Sequence, residues 1–128
     1  MEKNNPNKIL IVEDESALAA SLVTLLRSQG YQLFVAEDAL YGVSLAHKEK
    51  VDLVILDLGL PGGGGFSVLG NLKKSVDTNC IPVLILTGRK EKELEDRAFQ
   101  MGAAAFIHKP FDPQELLGKI KENLTETN

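Results

Sequence analysis

Three acidic residues follow two short apolar segments, and their side chains are the best candidates for chemistry in this chain. Glu13 and Asp14 come directly after residues 9–12, and Asp57 comes directly after residues 53–56. Apolar segments of this length, rich in branched side chains, are typical of strands buried on both faces of a parallel sheet. In open α/β sheets the functional crevice lies beyond the carboxyl ends of the strands. If the two strands are neighbours, the three carboxylates converge in one small pocket.

Such a group of carboxylates is unfavourable unless something compensates its charge. Two carboxylates about 5 Å apart repel each other by roughly 3 kcal/mol at an effective dielectric constant of about 20. The group must therefore hold protons at a raised pKa or bind a cation. Because neither Cys nor His accompanies the carboxylates, their hard oxygen atoms favour Mg²⁺ or another hard divalent cation. The sequence thus predicts a metal site suited to chemistry on phosphate.

Composition limits the class of protein. The 128 residues predict a single domain, residues 1–128, with a core of about residues 8–124 and flexible tails at both ends. A net charge of −4 argues against nonspecific nucleic-acid binding. The single cysteine, Cys80, excludes an internal disulfide, fits a reducing cytoplasm and is predicted to be a small buried hydrophobic residue. Neither a membrane span nor a signal peptide is expected, so we predict a cytoplasmic protein.

Strand and helix patterns alternate five times along the chain. The predicted strands are residues 8–13, 32–36, 52–57, 81–86 and 104–108, and the predicted helices are 16–28, 39–48, 66–75, 90–101 and 113–124. Gly30 and Gly102 are predicted to end helices, whereas Asp38 and Asp112 are predicted to cap them. Pro113 at the first position of the last helix, with Glu115 for a capping box, supports this assignment. Alternation predicts an α/β sheet of five parallel strands with five helices on its two faces. The flavodoxin-like doubly wound order 2-1-3-4-5 is a fold-level inference, and the alternating pattern of strand two predicts that it lies at an edge.

With these motifs in order, the chain resembles the receiver domain of two-component response regulators over nearly its entire length. The matching segments are Glu13-Asp14, Asp57 with Leu58-Gly59-Leu60-Pro61-Gly62 and Gly65, Leu86-Thr87-Gly88, and Phe106-Ile107-His108-Lys109-Pro110-Phe111. Each segment alone is a weak signal. Their order, each at the end of a predicted strand, makes the resemblance specific.

The resemblance implies roles for the acidic residues. Asp57 is expected to be the phosphoacceptor, because a carboxylate can attack a phosphoryl group and form an aspartyl phosphate. Glu13 and Asp14 are expected to hold Mg²⁺ together with Asp57, and the backbone carbonyl of Gly59 is the further ligand in this family. The alternatives are a turn or capping role for Asp57, and a solvated turn near the first helix for Glu13 and Asp14.

Three further residues receive roles from the resemblance. Lys109 is expected to pair with Asp57 at rest and with a phosphoryl oxygen afterwards, and its bond to Pro110 is expected to be cis. Thr87 is expected to donate its hydroxyl to a phosphoryl oxygen, although it could simply finish a strand. Phe106 stands where the family keeps an aromatic switch residue, although a plain core aromatic is an equal alternative.

The residues beside the site depart from the common pattern. The run of four glycines at 62–65 predicts a mobile loop without a catalytic role, with the next helix beginning at Phe66. A phosphate-binding loop is excluded because no Gly-Lys-Ser/Thr sequence follows. Gly59 and Arg89 occupy positions that tune access of water to the acyl phosphate in the family, and we expect their effects to oppose each other. His47 and His108 are expected to be structural or surface residues.

The resemblance favours a signalling switch rather than an enzyme. A sensor histidine kinase or phosphotransfer protein would phosphorylate Asp57 with Mg²⁺, and the face of helix four, strand five and helix five would control an unknown output partner or domain. A phosphorylation-dependent homodimer is left open, whereas direct binding to nucleic acid or membrane is not expected. The alternative is a phosphorylation-independent interaction module.

Two enzyme-like or cofactor-binding classes fit less well. A flavodoxin needs an anion-friendly first loop, and Glu13-Asp14-Glu15 would repel the flavin phosphate. A phosphatase with an aspartate nucleophile usually has a second acid two residues later, where this chain has Gly59.

Overall fold

The computed structural model describes residues 6–124, which form five strands and five α-helices in strict alternation. The strands are β1 (Lys8–Val12), β2 (Gln32–Ala36), β3 (Leu53–Leu56), β4 (Val83–Thr87) and β5 (Ala105–His108). The helices are α1 (Ser16–Arg27), α2 (Ala39–Glu49), α3 (Gly64–Lys74), α4 (Lys92–Gln100) and α5 (Pro113–Leu124), and a 3₁₀ turn at Pro61–Gly63 precedes α3. These elements confirm the predicted alternation.

The sheet has the flavodoxin-like strand order β2-β1-β3-β4-β5, and every neighbouring pair of strands is parallel. Ile11 pairs with Val35 on one side and with Ile55 on the other, so β1 lies between β2 and β3. The prediction of this order, with β2 at an edge, is therefore confirmed. Because β1 and β3 are adjacent and parallel, the residues that follow them meet at the same edge of the sheet.

The core consists of two apolar layers, one on each face of the sheet. Alternate residues of the buried strands point to opposite faces, as the two-residue period of a strand requires. The first layer joins Leu10 and Val54 to Leu69 of α3, and the second joins Ile11 and Ile55 to side chains of α1 and α5. Helices therefore cover both faces of the sheet. Because both faces are buried, the strand sequences are apolar at nearly every position.

Several helix boundaries follow the capping signals. Asp38 accepts a hydrogen bond from the backbone N–H of Tyr41 at 2.8 Å, which is the predicted cap of α2. Asp112 accepts one from the N–H of Gln114 at 3.1 Å, and Pro113 begins α5 as expected. Gly30 and Gly102 have positive φ angles of 91° and 106° after α1 and α4. These helix ends could be predicted from the sequence because a single residue determines each of them.

The glycine run at 62–65 differs from its prediction. Gly62 and Gly63 have positive φ angles in the 3₁₀ turn, while Gly64 and Gly65 are buried and already belong to α3. The prediction that the helix begins at Phe66 is therefore wrong. Tertiary packing outweighs the low helix propensity of glycine, because a Cβ atom on Gly65 would lie 2.5 Å from the Cα of Leu58.

Two smaller predictions also need correction. Cys80 is exposed rather than buried, because the turn that leads from α3 to β4 leaves it facing solvent. The sequence predicts a flexible tail at Asn7, but the carbonyl of Asn7 accepts a hydrogen bond from the N–H of Gln32 and extends the β1–β2 pairing. The predicted tails at residues 1–5 and 125–128 lie outside the described residues. Within residues 6–124, every helix is too short or too polar to cross a membrane.

Candidate functional site

The carboxylates of Glu13, Asp14 and Asp57 lie together at the carboxyl edge of the sheet. One oxygen from each falls within 4.8 Å of the others. Glu13 and Asp57 are almost completely buried, with exposed fractions of 3% and 6%, whereas Asp14 is exposed. The N–H of Asp57 donates to the carbonyl of Val12 at 3.1 Å, which fixes the end of β3 beside the end of β1. The predicted convergence of these residues is confirmed.

Lys109 brings a positive charge to the acidic residues from the end of β5. Its Nζ atom lies 3.1 Å from Oε1 of Glu13 and 3.6 Å from Oδ1 of Asp57. The backbone N–H of Lys109 donates to the carbonyl of Thr87 at 2.8 Å, and the Lys109–Pro110 peptide bond is cis, as the resemblance implied. Lys109 thus contacts Asp57 as expected, but the shorter contact is with Glu13.

Backbone N–H groups hold the two buried carboxylates. The N–H of Glu15 donates to Oε2 of Glu13 at 3.1 Å, and the N–H of Gly59 donates to Oδ1 of Asp57 at 2.9 Å. Neither of these N–H donors was predicted from the sequence. The spacing of two residues between Asp57 and Gly59 was an available signal, because aspartate commonly accepts from the N–H two residues onward in a turn.

The electrostatics favour the entry of a cation. Burial raises the pKa of Glu13, and the neighbouring charge of Asp57 raises it further, while the N–H of Glu15 and the Lys109 ammonium lower it. One ammonium cannot balance three ionised carboxylates. The donors are hard oxygen atoms without Cys or His among them, and this set fits Mg²⁺.

Thr87 ends β4 beside Lys109 and is fully buried. Its Oγ1 atom accepts a hydrogen bond from the N–H of Arg89 at 3.1 Å. The exposed guanidinium of Arg89 pairs with Glu91 at 3.2 Å. Thr87 therefore lies in the predicted position at a strand end, while the side chain of Arg89 is engaged along its own loop.

Phe106 is half-buried on β5. Its ring centroid lies 6.4 Å from that of Phe99 in α4 and 5.3 Å from that of His108. His108 is itself exposed, and Nδ1 of His47 lies 3.9 Å from Oδ2 of Asp77. Among the described residues, the carboxylate group that could hold a metal contains neither histidine. Their prediction as surface or structural residues agrees with this placement.

Two glycines allow close approach to Asp57. A Cβ atom on Gly59 would lie 3.3 Å from Oδ1 of Asp57, and one on Gly65 would lie 2.7 Å from the carbonyl oxygen of Asp57. Gly65 thus lets the first turn of α3 press against the backbone that carries Asp57. The motif in the sequence includes Gly65 but gives no sign of this contact, because close approach of two backbone segments leaves no periodic pattern in the sequence.

A groove adjoins the acidic residues on the side of α1. It has a volume of about 500 Å³ and lies between α1 and the segment after β5, where Leu18, Ser21, Lys109 and Phe111 line it. Lys109 lines the groove and also contacts the buried carboxylates of Glu13 and Asp57, so the groove adjoins the acidic site.

Comparisons with known proteins agree with this geometry. The family model described as the response regulator receiver domain matches residues 9–121. The phosphate regulon transcriptional regulatory protein PhoB of Escherichia coli is 40% identical over 114 residues, which cover 89% of this chain and 50% of that protein. Protein PilH of Pseudomonas aeruginosa is 35% identical over 113 residues, covering 88% of this chain and 93% of that protein. The chain thus spans about half the length of the PhoB relative.

Solved structures show the same fold. A response regulator from Chloroflexus aurantiacus superposes with a TM-score of 0.89 at 30% identity, covering 95% of this chain and 100% of that one. A receiver domain protein from Methanospirillum hungatei gives a TM-score of 0.87 at 32% identity, covering 94% of each chain.

Proposed function

The chain belongs to the response regulator receiver domain family, and from that premise we propose that it is a phosphorylation-controlled signalling switch. Asp57 accepts a phosphoryl group from a sensor histidine kinase or phosphotransfer protein, in the cytoplasm. Residues 1–128 act as one regulatory domain that promotes its own phosphorylation and dephosphorylation. The observation that supports this most strongly is the meeting of three carboxylates with the Lys109 ammonium beside Asp57.

The proposed transfer is a displacement at phosphorus. A carboxylate oxygen of Asp57 attacks the phosphorus atom of a phosphohistidine in line with its P–N bond. The new O–P bond forms as the P–N bond breaks, and the imidazole nitrogen leaves with the electron pair. The N–H of Gly59 and the ammonium of Lys109 both contact Oδ1 of Asp57 and hold the carboxylate in a fixed orientation.

The surrounding residues stabilise charge. Glu13, Asp14, Asp57 and the backbone carbonyl of Gly59 would hold Mg²⁺. When bound, Mg²⁺ supplies positive charge that stabilises the transferred phosphoryl group. Lys109 moves from the carboxylates to a phosphoryl oxygen, because its flexible chain already reaches both carboxylates. The Thr87 hydroxyl donates to another phosphoryl oxygen and gives up its contact with the N–H of Arg89.

The proposed output depends on coupled movements of Thr87, at the end of β4, and Phe106, in β5. Movement of Thr87 toward the phosphoryl group would open space next to β5, into which the half-buried ring of Phe106 can turn. This would change the exposed surface of α4, β5 and α5 and shift a two-state equilibrium that an output partner or domain reads. The contact between Phe106 and Phe99 links β5 to α4 in the present conformation.

Phosphorylation by a small phosphodonor tests the proposal. The chain is incubated with acetyl phosphate and Mg²⁺, and its intact mass is measured. We expect the mass of one added phosphoryl group on the wild type and on Asp77→Asn, which alters an exposed carboxylate elsewhere, but not on Asp57→Asn. An unmodified wild type, or a modified Asp57→Asn variant, would contradict the proposal and favour a phosphorylation-independent interaction module.

A further inference from the structure

Two adjacent apolar side chains are exposed in the first turn of α2. Leu40 is 83% exposed and Tyr41 is 53% exposed. The other large apolar residues with high exposure among those described are Val76 and Phe99. A single exposed leucine is common on protein surfaces. Two adjacent exposed apolar side chains near a site that a partner protein must approach indicate a candidate contact surface.

The first turn of α2 lies at the same edge of the sheet as Asp57. The N–H of Glu13 donates to the carbonyl of Ala36, the last residue of β2, at 3.0 Å. A Cβ atom on Gly42 would lie 3.0 Å from Cγ2 of Val12, and one on Gly64 would lie 3.4 Å from Cβ of Ala39. The start of α2 is therefore wedged between the loop that carries Glu13 and the start of α3.

Phosphoryl transfer requires that a phosphohistidine of another protein reach Asp57 at this edge of the sheet. Asp57 is 6% exposed, so a histidine on another protein can reach it only if that protein covers the rim of the pocket. The groove beside Lys109 forms one part of the rim, and the start of α2 forms the part across the carboxylates from it. Val76 follows α3 and precedes β4, so it lies at the opposite edge and outside such an interface.

The charge around the pair specifies the partner further. Glu37 and Asp38 are exposed immediately before α2, and Asp14 and Glu15 are exposed in the neighbouring loop. Leu40 and Tyr41 with these acidic neighbours are complementary to an apolar side chain that is flanked by Lys or Arg.

We propose that Leu40 and Tyr41 form a docking surface for the protein phosphodonor, which contacts them with an apolar side chain flanked by basic residues near its phosphohistidine. This inference rests on the proposed function and adds a second contact region to the groove along α1. The pair acts in recognition and takes no part in the chemistry at Asp57. Small phosphodonors should therefore be indifferent to it.

The test compares a protein donor with a small one. The probe is the autophosphorylated core of a histidine kinase, chosen from a panel as the one that transfers fastest to the wild-type chain; acetyl phosphate is the small donor. Leu40→Ser combined with Tyr41→Ser should lower kcat/KM for transfer from the kinase by about tenfold or more, as expected for a central apolar contact. The rate with acetyl phosphate should stay unchanged. The conservative variant Leu40→Met keeps an apolar side chain and should retain most of the transfer from the kinase.

Val76→Ser is the matched control, because it also replaces a highly exposed aliphatic residue. It should change neither rate. Transfer that is unimpaired in the double variant would overturn the docking surface, as would an equal loss with both donors or the absence of transfer from every kinase in the panel. If instead the variants change only the oligomeric state, the pair is a contact between copies of this chain and the inference is wrong. Failure of the wild type to react with acetyl phosphate would contradict the proposed function itself.

Discussion

The Nζ atom of Lys109 lies 3.1 Å from Oε1 of Glu13, although 96 positions separate the two residues in the chain. The same atom lies 3.6 Å from Asp57, so one ammonium is shared between two buried carboxylates. Because Asp14 adds a third carboxylate, the repulsion among the carboxylates is only partly relieved before a cation arrives. The resting site is thus less stable than a site with balanced charge.

Removal of one carboxylate should stabilise the resting protein. Without divalent cations, Asp57→Asn should increase the free energy of unfolding by about 1 kcal/mol, because repulsion with Glu13 and Asp14 is lost while the side chain keeps its shape. Urea denaturation in the presence of a chelator measures this. The exposed substitution Asp77→Asn is the control and should have little effect. A marked loss of stability in Asp57→Asn would show that the Lys109 contact outweighs the repulsion.

Gly65 should tolerate no side chain. Gly65→Ala should lower the free energy of unfolding by about 2 kcal/mol, since its Cβ would meet Leu58 and the carbonyl of Asp57. Gly118→Ala is the control, because this exposed glycine lies within α5 and its Cβ would meet no atom within 4 Å. It should raise stability by about 0.5–1 kcal/mol. Equal effects of the two substitutions would contradict the close approach inferred at Gly65.

The lifetime of the phosphorylated state should depend on Gly59 and Arg89 in opposite ways. A side chain at position 59 would begin 3.3 Å from Oδ1 of Asp57, so Gly59→Leu should shield the acyl phosphate from water and slow its loss severalfold. Arg89→Ala should speed the loss, because we expect the guanidinium to leave Glu91 and cover the phosphorylated site. Loss of phosphate after removal of the donor can be followed by intact mass. Unchanged lifetimes in both variants would end this hypothesis.

Tyr31 should contribute to the dependence of stability on alkaline pH. Burial raises the pKa of Tyr31 above its ordinary value of about 10. The folded state therefore retains this proton at pH values where the unfolded state has lost it, and stability falls as the pH rises from about 10 through the raised pKa. Tyr31→Phe should remove part of this fall in urea denaturation between neutral and alkaline pH. Tyr41→Phe, which removes an exposed hydroxyl, is the control. A fall of the same size in Tyr31→Phe would contradict this assignment.

The strands and the acidic site were predictable because their signals are local and repeated. Residues 9–12 and 53–56 are apolar at every position, as strands covered on both faces require, and each run ends at an acid. The adjacency of β1 and β3 was an inference from the flavodoxin-like strand order, and the observed pairing confirms it and brings Glu13 to Asp57.

Contacts between individual atoms could not be predicted from the sequence. The preference of Lys109 for Glu13 depends on differences of half an ångström, and the helical start at Gly64 depends on the close packing of Gly65 against Leu58. Cys80 was misplaced because its neighbours Ile81 and Pro82 resemble the start of a buried strand, whereas β4 begins at Val83. In each case the three-dimensional surroundings outweighed the local pattern.

Magnesium binding tests the central claim most directly, because the account requires carboxylates from distant segments to act as one site. Isothermal titration calorimetry of the wild type with Mg²⁺ should show one ion bound per chain. The affinity should fall strongly in Asp14→Asn, which changes an exposed carboxylate within the site, and should be retained in Asp77→Asn. An absence of Mg²⁺ binding by the wild type, or equal affinity in Asp14→Asn and the wild type, would contradict the account.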